Sequence, residues 1–323
     1  MTQTVTIAIP TYNRADRFLR PAIECALGQT WQDLEIIVSD NCSMDDTPDV
    51  VRSYDDPRLR YVRQPENIGA NNNFNYCINH ANGSYFLLFH DDDIIDADMV
   101  ESCMDAAGGR TDHGLIRTGT RLIDGEGRLI REIPNRAAGL GYNAFLRGWR
   151  KGRFTSYVCS TLFNTKLLQE IGGFQSQHGL FQDMIAVARL TAQAGRCDIE
   201  DVKASFRRHD ENYGNAAELK AWCEDGRQLA AAISAEAESE KEVLYEESMR
   251  YLCLTIYRYA GRFLPDRWER LKAYRMIDSE FEHRYPASKY LTDVTMRPLR
   301  KAIRRSVRRL VKGHRSGPGT RVA

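Results

Sequence analysis

Asp91, Asp92 and Asp93 stand in a row directly after His90, where the apolar run Ser84–Phe89 (SYFLLF) ends. Adjacent carboxylates repel one another, and at the end of a buried segment a cation relieves that repulsion best. Hard oxygen ligands in such a position suit Mg2+ or Mn2+ bridging two phosphates. A charge run is otherwise a solvated face, so the argument rests on its position. Three further polar clusters stand at the ends of apolar runs. Pro10-Thr11-Tyr12-Asn13-Arg14 follows VTIAI. Ser39-Asp40-Asn41 ends LEIIVS and leads to Ser43, Asp45 and Asp46. Pro65-Glu66-Asn67-Ile68-Gly69 comes after LRYVR and leads to Asn71, Asn72, Asn73 and Asn75. A carboxylate such as Asp40 accepts hydrogen bonds from a base or a ribose, although Asx-rich turns and helix caps use the same residue types. The chain contains neither GxxxxGK[ST] nor GxGxxG. The pattern therefore predicts a diphosphate held through metal rather than through a glycine loop.

The elements that must position these residues are legible from periodicity. Val5–Ile9, Leu34–Ser39, Leu59–Arg63 and Ser84–Phe89 read as short buried strands. Between them Arg17–Leu27, Thr47–Tyr54 and Asn71–Ala81 read as helices, the second opened by Pro48. Strand and helix in alternation predict a parallel sheet covered on both faces, with ligands at the carboxyl ends of its strands. After Asp98 the spacing predicts strands over 114–121, 127–133 and 155–163. Helices are predicted over 166–171 and 182–194, followed by helical sequence from Ala216 to about Arg262 and a second stretch after Pro265.

A length of 323 residues accommodates about two domains, and a soft boundary is placed near residue 214. Hydrophobic content of 42% with 10% aromatics excludes a disordered chain, and scattered glycine and proline exclude a collagen-like or low-complexity one. No apolar stretch approaches the ~18–20 residues that span a bilayer. The start, MTQTVTIAIPTYNR, has no charged n-region and no h-region, and the eight cysteines are widely spaced without a CxxC pair. Together these predict reduced thiols in a cytoplasmic protein. The formal charge of +1 conceals a division. Residues 1–296 carry 35 basic against 44 acidic groups, a net of −9, whereas ten Lys and Arg and no acids lie from Arg297 onward.

Seven motifs in one order (VTIAIPTYNR, EIIVSDNCSMDDT, ENIGANNNFN, FLLFHDDD, GGF at 172–174, FQDM at 181–184 and FRRHDEN at 206–212) resemble glycosyltransferase family 2 with the GT-A fold. The resemblance covers roughly residues 4–214. It implies an α/β GT-A architecture, Rossmann-like with a mostly parallel central sheet, over 1–214, and a C-terminal helical extension over 215–323. It also implies a sugar transfer from a nucleotide-diphosphate sugar to a glycan or lipid-linked acceptor, dependent on Mn2+ or Mg2+. Residue by residue, Pro10, Thr11, Asn13, Asp40, Asn67, Asn75, Asp91 and Asp92 would contact the nucleotide-sugar, with Asp40 on the base. Asp91–Asp93 would be the metal motif, either complete at 91 and 93 or shifted so that His90 takes the first place and Asp92 is the principal ligand. His209 matches a histidine that completes the metal shell. Asp183 matches the catalytic base, and Gln182 stands where the family carries glutamate. Base-assisted attack from the face opposite the nucleotide implies inversion. Trp149, Phe154, Tyr157 and Phe174 are candidates for stacking on sugars, core packing being the alternative for each.

Within 297–315, Leu299, Ile303, Val307 and Leu310 form one helical stripe among arginines and lysines. A basic amphipathic helix on anionic lipid is the reading preferred over a disordered cationic tail. It predicts a peripheral protein on the inner face of the cell membrane. The tail has no aromatic to stack on bases, and nucleic acid is not expected as a partner. Two competing readings are a sugar-nucleotide nucleotidyltransferase, which would need a glycine-rich loop where IPTYNRAD has none, and a nucleotide-sugar-binding protein with a degenerate site. Oligomeric state is not legible.

Overall fold

The computed structural model describes residues 3–209 and 218–287. The boundary expected near 214 and the basic tail 297–315 lie outside the described residues. The chain divides into two compact units, residues 1–248 and 249–323.

In the first unit β1 (Val5–Thr11) is followed by α1 (Leu19–Leu27), β2 (Leu34–Asp40), α2 (Thr47–Arg52), β3 (Leu59–Arg63), α3 (Ala70–Asn79) and β4 (Tyr85–Leu88). All seven residues of β1 and all four of β4 are buried, as expected of β-branched and apolar runs covered on both faces. Strands β3, β2, β1 and β4 lie side by side in parallel register. From β1 the chain builds outward through β2 to β3, then returns to place β4 on β1's other side. That reversal opens a crevice between the carboxyl ends of β1 and β4. The residues that end those strands are Thr11 and the His90–Asp93 run.

Next come β5 (Ile94–Ile95), α4 (Met99–Ala106), β6 (Leu115–Ile123), β7 (Leu129–Ile133), α5 (Tyr142–Arg150), β8 (Thr161–Asn164), α6 (Thr165–Glu170), α7 (Gln182–Ala194) and β9 (Arg196–Arg207). They extend the sheet in the order β4-β8-β6-β9-β5, with β7 paired to β6. The sheet is mostly parallel, as expected, and β8, β7 and β5 enter it antiparallel. The helix α8 (Leu219–Ala235) follows, and α9 (Lys241–Phe263) crosses the division between the units. The second unit also contains α10 (Arg267–Glu280).

Two strand assignments change. The run expected as a strand over 155–163 pairs only from Thr161, after a short 3-10 turn at Val158–Ser160. The hydroxyls of Ser160 and Thr161 both donate to the carbonyl of Tyr157 and tighten the backbone there. β9, of 12 residues, has no counterpart among the expected strands. Its sequence RCDIEDVKASFR is rich in charge because much of the strand is only half-buried. The helical stretch expected from Ala216 to Arg262 is two helices, α8 and α9.

Candidate active site

Thr11, the last residue of β1, donates its hydroxyl to Asp91 Oδ2 at 2.7 Å. This bond joins the two strand ends across the crevice. Burial pushes the Asp91 carboxyl up to about 7, with Thr11 donation opposing the rise. A second link runs through β5 and β9. Ile94 pairs with Ser205, which carries the residues after β9 back over the aspartate run. The Arg207 amide donates to Asp93 Oδ1 at 3.0 Å, and His209 Nε2 lies 2.7 Å from Asp92 Oδ2. His209 also stacks on Phe18 with ring centroids 5.6 Å apart.

Ligand atoms of His90, Asp92 and Asp93 all lie within 4.8 Å of one another. His90 Nε2 and Asp93 Oδ2 are buried without a hydrogen-bond partner. Such orphans are rare in a folded interior, and a cation would satisfy both. Burial holds the His90 imidazole below its usual range, hence neutral and available as a ligand. It holds Asp93 well above its own range, reinforced by the charge of Asp92. This donor set of two carboxylates and an imidazole fits a divalent cation. It corresponds to the register in which His90 takes the first place. Asp91 is turned to Thr11, and His209 meets the set through Asp92.

The wall of this crevice is cationic. Arg207 Nε donates to the Asp92 carbonyl at 2.7 Å, and Arg17 Nη2 to the Gly125 carbonyl at 2.9 Å. Both guanidinium groups also lie over the Phe18 ring. With Asp91, Asp92, Asp93 and Gly125 these three residues line a cleft of about 250 Å³. The roles of Phe18, Arg17 and Arg207 were not anticipated. Only the FRRHDEN motif signalled any of them, and there His209 drew the attention rather than Arg207.

The other expected nucleotide contacts are placed as a shell of loops. Asp40 is fully buried and accepts from the Ser43 amide at 2.7 Å and the Tyr61 hydroxyl at 2.7 Å, with Arg63 Nε at 3.5 Å. Asn13, at φ +53°, accepts from the Met44 amide, and its own amide donates to Ser43 Oγ. Asn67 accepts from Asn41 Nδ2 and from the Gly69 amide. Pro10 is buried within β1 opposite Ser39. These bonds fix the loops after β1, β2 and β3 to one another. Asn75 is engaged elsewhere, since its amide makes both hydrogen bonds to the backbone of Phe174 and props the Gly172-Gly173 turn.

Asp183 lies in the first turn of α7, half-buried. A helix N-terminus favours a carboxylate, yet burial dominates and pushes Asp183 up to about 6. Gln182 beside it is buried, and its Oε1 has no partner. Residues 176–180, which lead into this helix, are strapped to α8. Asp225, fully buried, accepts from Ser176 Oγ at 2.7 Å and from the amides of His178 and Leu180 at 2.9 Å each. Of the aromatic candidates, Phe154 and Phe174 are core residues, packed on Phe145 and Phe163. Tyr157 is half-buried and stacks on Phe206, and Trp149 is half-buried.

A model described as glycosyl transferase family 2 matches residues 6–171, about half of the chain. A "GalNAc(5)-diNAcBac-PP-undecaprenol beta-1,3-glucosyltransferase" of Campylobacter jejuni is 31% identical over 173 residues, 51% of this chain and 55% of that protein. The chain spans about 41% to 55% of the length of the first curated relatives it matches. Among solved structures, S. aureus TarS 1-349 in complex with UDP-GlcNAc superposes with a TM-score of 0.66 at 15% identity, over 86% of this chain and 81% of that one. The mannosyltransferase PcManGT of Pyrobaculum calidifontis, in complex with GDP-Man and Mn2+, superposes at 0.57 with 18% identity, over 92% and 82%. At such identities these two likenesses establish the fold.

Proposed function

The chain belongs to glycosyltransferase family 2, and from that premise we propose that it moves a sugar from a nucleotide-diphosphate sugar to a hydroxyl of a glycan or lipid-linked acceptor, with inversion at the anomeric carbon. The observation that carries the reading is the chain of contacts Thr11–Asp91 and Asp92–His209 at the crevice where the strand order reverses. The nucleotide-sugars bound by the two solved neighbours, and the lipid-linked name of the Campylobacter relative, support it by analogy.

In this reading the loops after β1, β2 and β3 hold the nucleotide, with Thr11, Asn13, Asp40 and Asn67 as their polar framework. Arg17 and Arg207 offset the negative charge that the aspartates and a diphosphate bring together. Asp92, Asp93 and His90 would hold a divalent cation, with His209 orienting Asp92. That cation, Mn2+ or Mg2+, would supply neutralisation of the diphosphate leaving group. Asp183 takes the proton of the acceptor hydroxyl as its oxygen bonds to the anomeric carbon. The bond from that carbon to the diphosphate breaks, and the nucleoside diphosphate leaves with the electron pair. A carboxyl pushed up to about 6 is a stronger base than an ordinary aspartate and is still ionised near neutrality.

The basic tail 297–315 would hold the enzyme peripherally on the inner face of the cell membrane, within reach of lipid-linked acceptors. Among the described residues no helix is long and apolar enough to cross a bilayer. The test is a thermal-shift panel of nucleotide-sugars with and without Mn2+, followed by turnover of the donor that stabilises most. Stabilisation by one nucleotide-sugar that depends on the metal supports the reading. No stabilisation by any donor refutes it.

A further inference from the structure

Among the described residues most aromatic side chains are covered, and many arginines have carboxylate partners. Arg58 meets Asp56 at 2.9 Å, Arg121 meets Asp96 at 2.8 Å and Arg147 meets Glu240 at 3.0 Å. The turn between α9 and α10 departs from both habits. Phe263, the last residue of α9, is 49% exposed, and Trp268, in the first turn of α10, is 69% exposed. The other three tryptophans, Trp31, Trp149 and Trp222, are half-buried. Arg262, Arg267, Arg270 and Lys272 neighbour the two exposed rings in sequence and outnumber the acids Asp266 and Glu269 there, and none of the four has an ion-pair partner among the described residues.

The turn is also ordered from within. Asp266 caps α10, its Oδ1 accepting from the amides of Trp268 and Glu269 at 2.8 Å each. This satisfies the free amides of the helix start and fixes the direction of the Trp268 backbone. The Phe263 ring lies tilted against Tyr259 with centroids 4.4 Å apart, and Arg262 lies over the Phe263 ring at 5.3 Å. An isolated exposed ring is unremarkable. Two rings five residues apart on a capped turn, among four unpaired cations, form a surface with a definite complement. Aromatic rings settle at the headgroup level of a bilayer, with their apolar bodies toward the acyl chains. Each Lys or Arg beside them gains about 1 kcal/mol from an anionic leaflet.

We propose that the α9–α10 turn is a membrane-docking tip that seats Phe263 and Trp268 in the interface of an anionic bilayer, with Arg262, Arg267, Arg270 and Lys272 on its headgroups. The proposal deepens the peripheral-membrane part of the function proposed above and rests on that part. It does not depend on the chemistry assigned to Asp183, so the two fail separately. It also differs from the tail, which begins about 30 residues later in the sequence.

The experiment is co-sedimentation of the full chain with phosphatidylcholine vesicles, with and without phosphatidylglycerol, alongside nucleotide-sugar turnover in free solution. Binding is expected only where phosphatidylglycerol is present. It should weaken about fivefold for each of Arg262→Gln and Arg267→Gln, and about tenfold for Phe263→Ser combined with Trp268→Ser. Turnover without vesicles should be unchanged in all of these variants. Brominated lipid should quench the tryptophan fluorescence of the native chain but not that of Trp268→Phe, a variant that alters only an exposed side chain. Equal partitioning of the double variant, equal binding to uncharged vesicles, or quenching that persists in Trp268→Phe would each overturn the proposal. So would a chain that dimerises through these rings in the absence of lipid. Loss of turnover with lipid binding intact would instead count against the glycosyl-transfer reading alone.

Discussion

At Asp183 two influences on a carboxyl act in opposite directions. The N-terminus of α7 favours the ionised form, burial favours the protonated one, and burial prevails to bring the group to about 6. The consequence for stability has a definite sign. The folded state binds this proton more tightly than the unfolded chain, so stability is highest below the ordinary carboxylate range and declines as pH rises toward about 6. Catalysis by Asp183 as the proposed base would run the other way, because a base must be ionised. Turnover should therefore increase through pH 6 as the fold loses stability over the same interval. Asp183→Asn should lower kcat by about 10²–10⁴-fold while leaving donor binding intact, and at neutral pH its melting temperature should equal or exceed that of the native chain. A variant that loses activity and also melts early would mean that Asp183 is a structural residue. At the cation set, Asp92→Asn removes both a proposed ligand and the partner of His209. The stabilisation by Mn2+ expected in thermal shift should then disappear, while metal-free stability changes little. The motif His90–Asp93 was legible because three acids at a strand end have few structural uses. Arg17 and Arg207 were not, since both reach the crevice through partners remote in sequence: Arg17 donates to the Gly125 carbonyl between β6 and β7, and Arg207 ends β9, a strand whose charged sequence hid it.

At the scale of elements, the catalytic candidate is held by its neighbours. Asp225 on α8 receives three donors from residues 176–180, immediately before α7. Asp225→Ala would leave those donors unpaired in a buried place, a cost of about 1–3 kcal/mol. It should also lower kcat more than it raises the KM for the donor, because the loops proposed to hold the nucleotide, after β1, β2 and β3, are elsewhere. Steady-state kinetics with chemical denaturation would separate the two effects, and a change confined to KM would contradict the assignment. The Gly172-Gly173 turn is a second support. Gly173 has φ +78°, and a Cβ there would overlap Asn75 Oδ1. Gly173→Ala should destabilise the fold by about 1–3 kcal/mol in equilibrium unfolding. The first four strands and three helices follow from hydrophobic periodicity with small shifts at their ends, since each is an apolar run between turn residues. Asn75 shows the limit of that reading. The resemblance implies that it contacts the nucleotide-sugar; in the structure its two hydrogen bonds to Phe174 link residues 99 apart in sequence, and no local pattern announces such a pairing.

Across the whole chain, the net charge of +1 is the sum of −9 over residues 1–296 and ten unopposed cations beyond them. In the proposed function an acidic body handling a diphosphate would need cations close at hand, and among the described residues Arg17 and Arg207 line the crevice beside the carboxylates. The cations of the tail serve no such site in the sequence reading. Deleting residues 297–323 should move the protein from the membrane pellet toward the soluble fraction while turnover of the donor in solution persists; an unchanged distribution would contradict the role given to the tail. Family membership and fold support the proposed glycosyl transfer, and the assignment that most depends on this chain's own geometry is the proposed base. The most direct test is the release of nucleoside diphosphate from the stabilising nucleotide-sugar in the presence of Mn2+ and acceptor, measured for the native chain and for Asp183→Asn across pH 5 to 8, a range chosen to bracket its value of about 6. The account predicts native turnover that increases through about pH 6 and a variant that binds the donor without turning it over. A variant with native turnover and the same pH profile would contradict it.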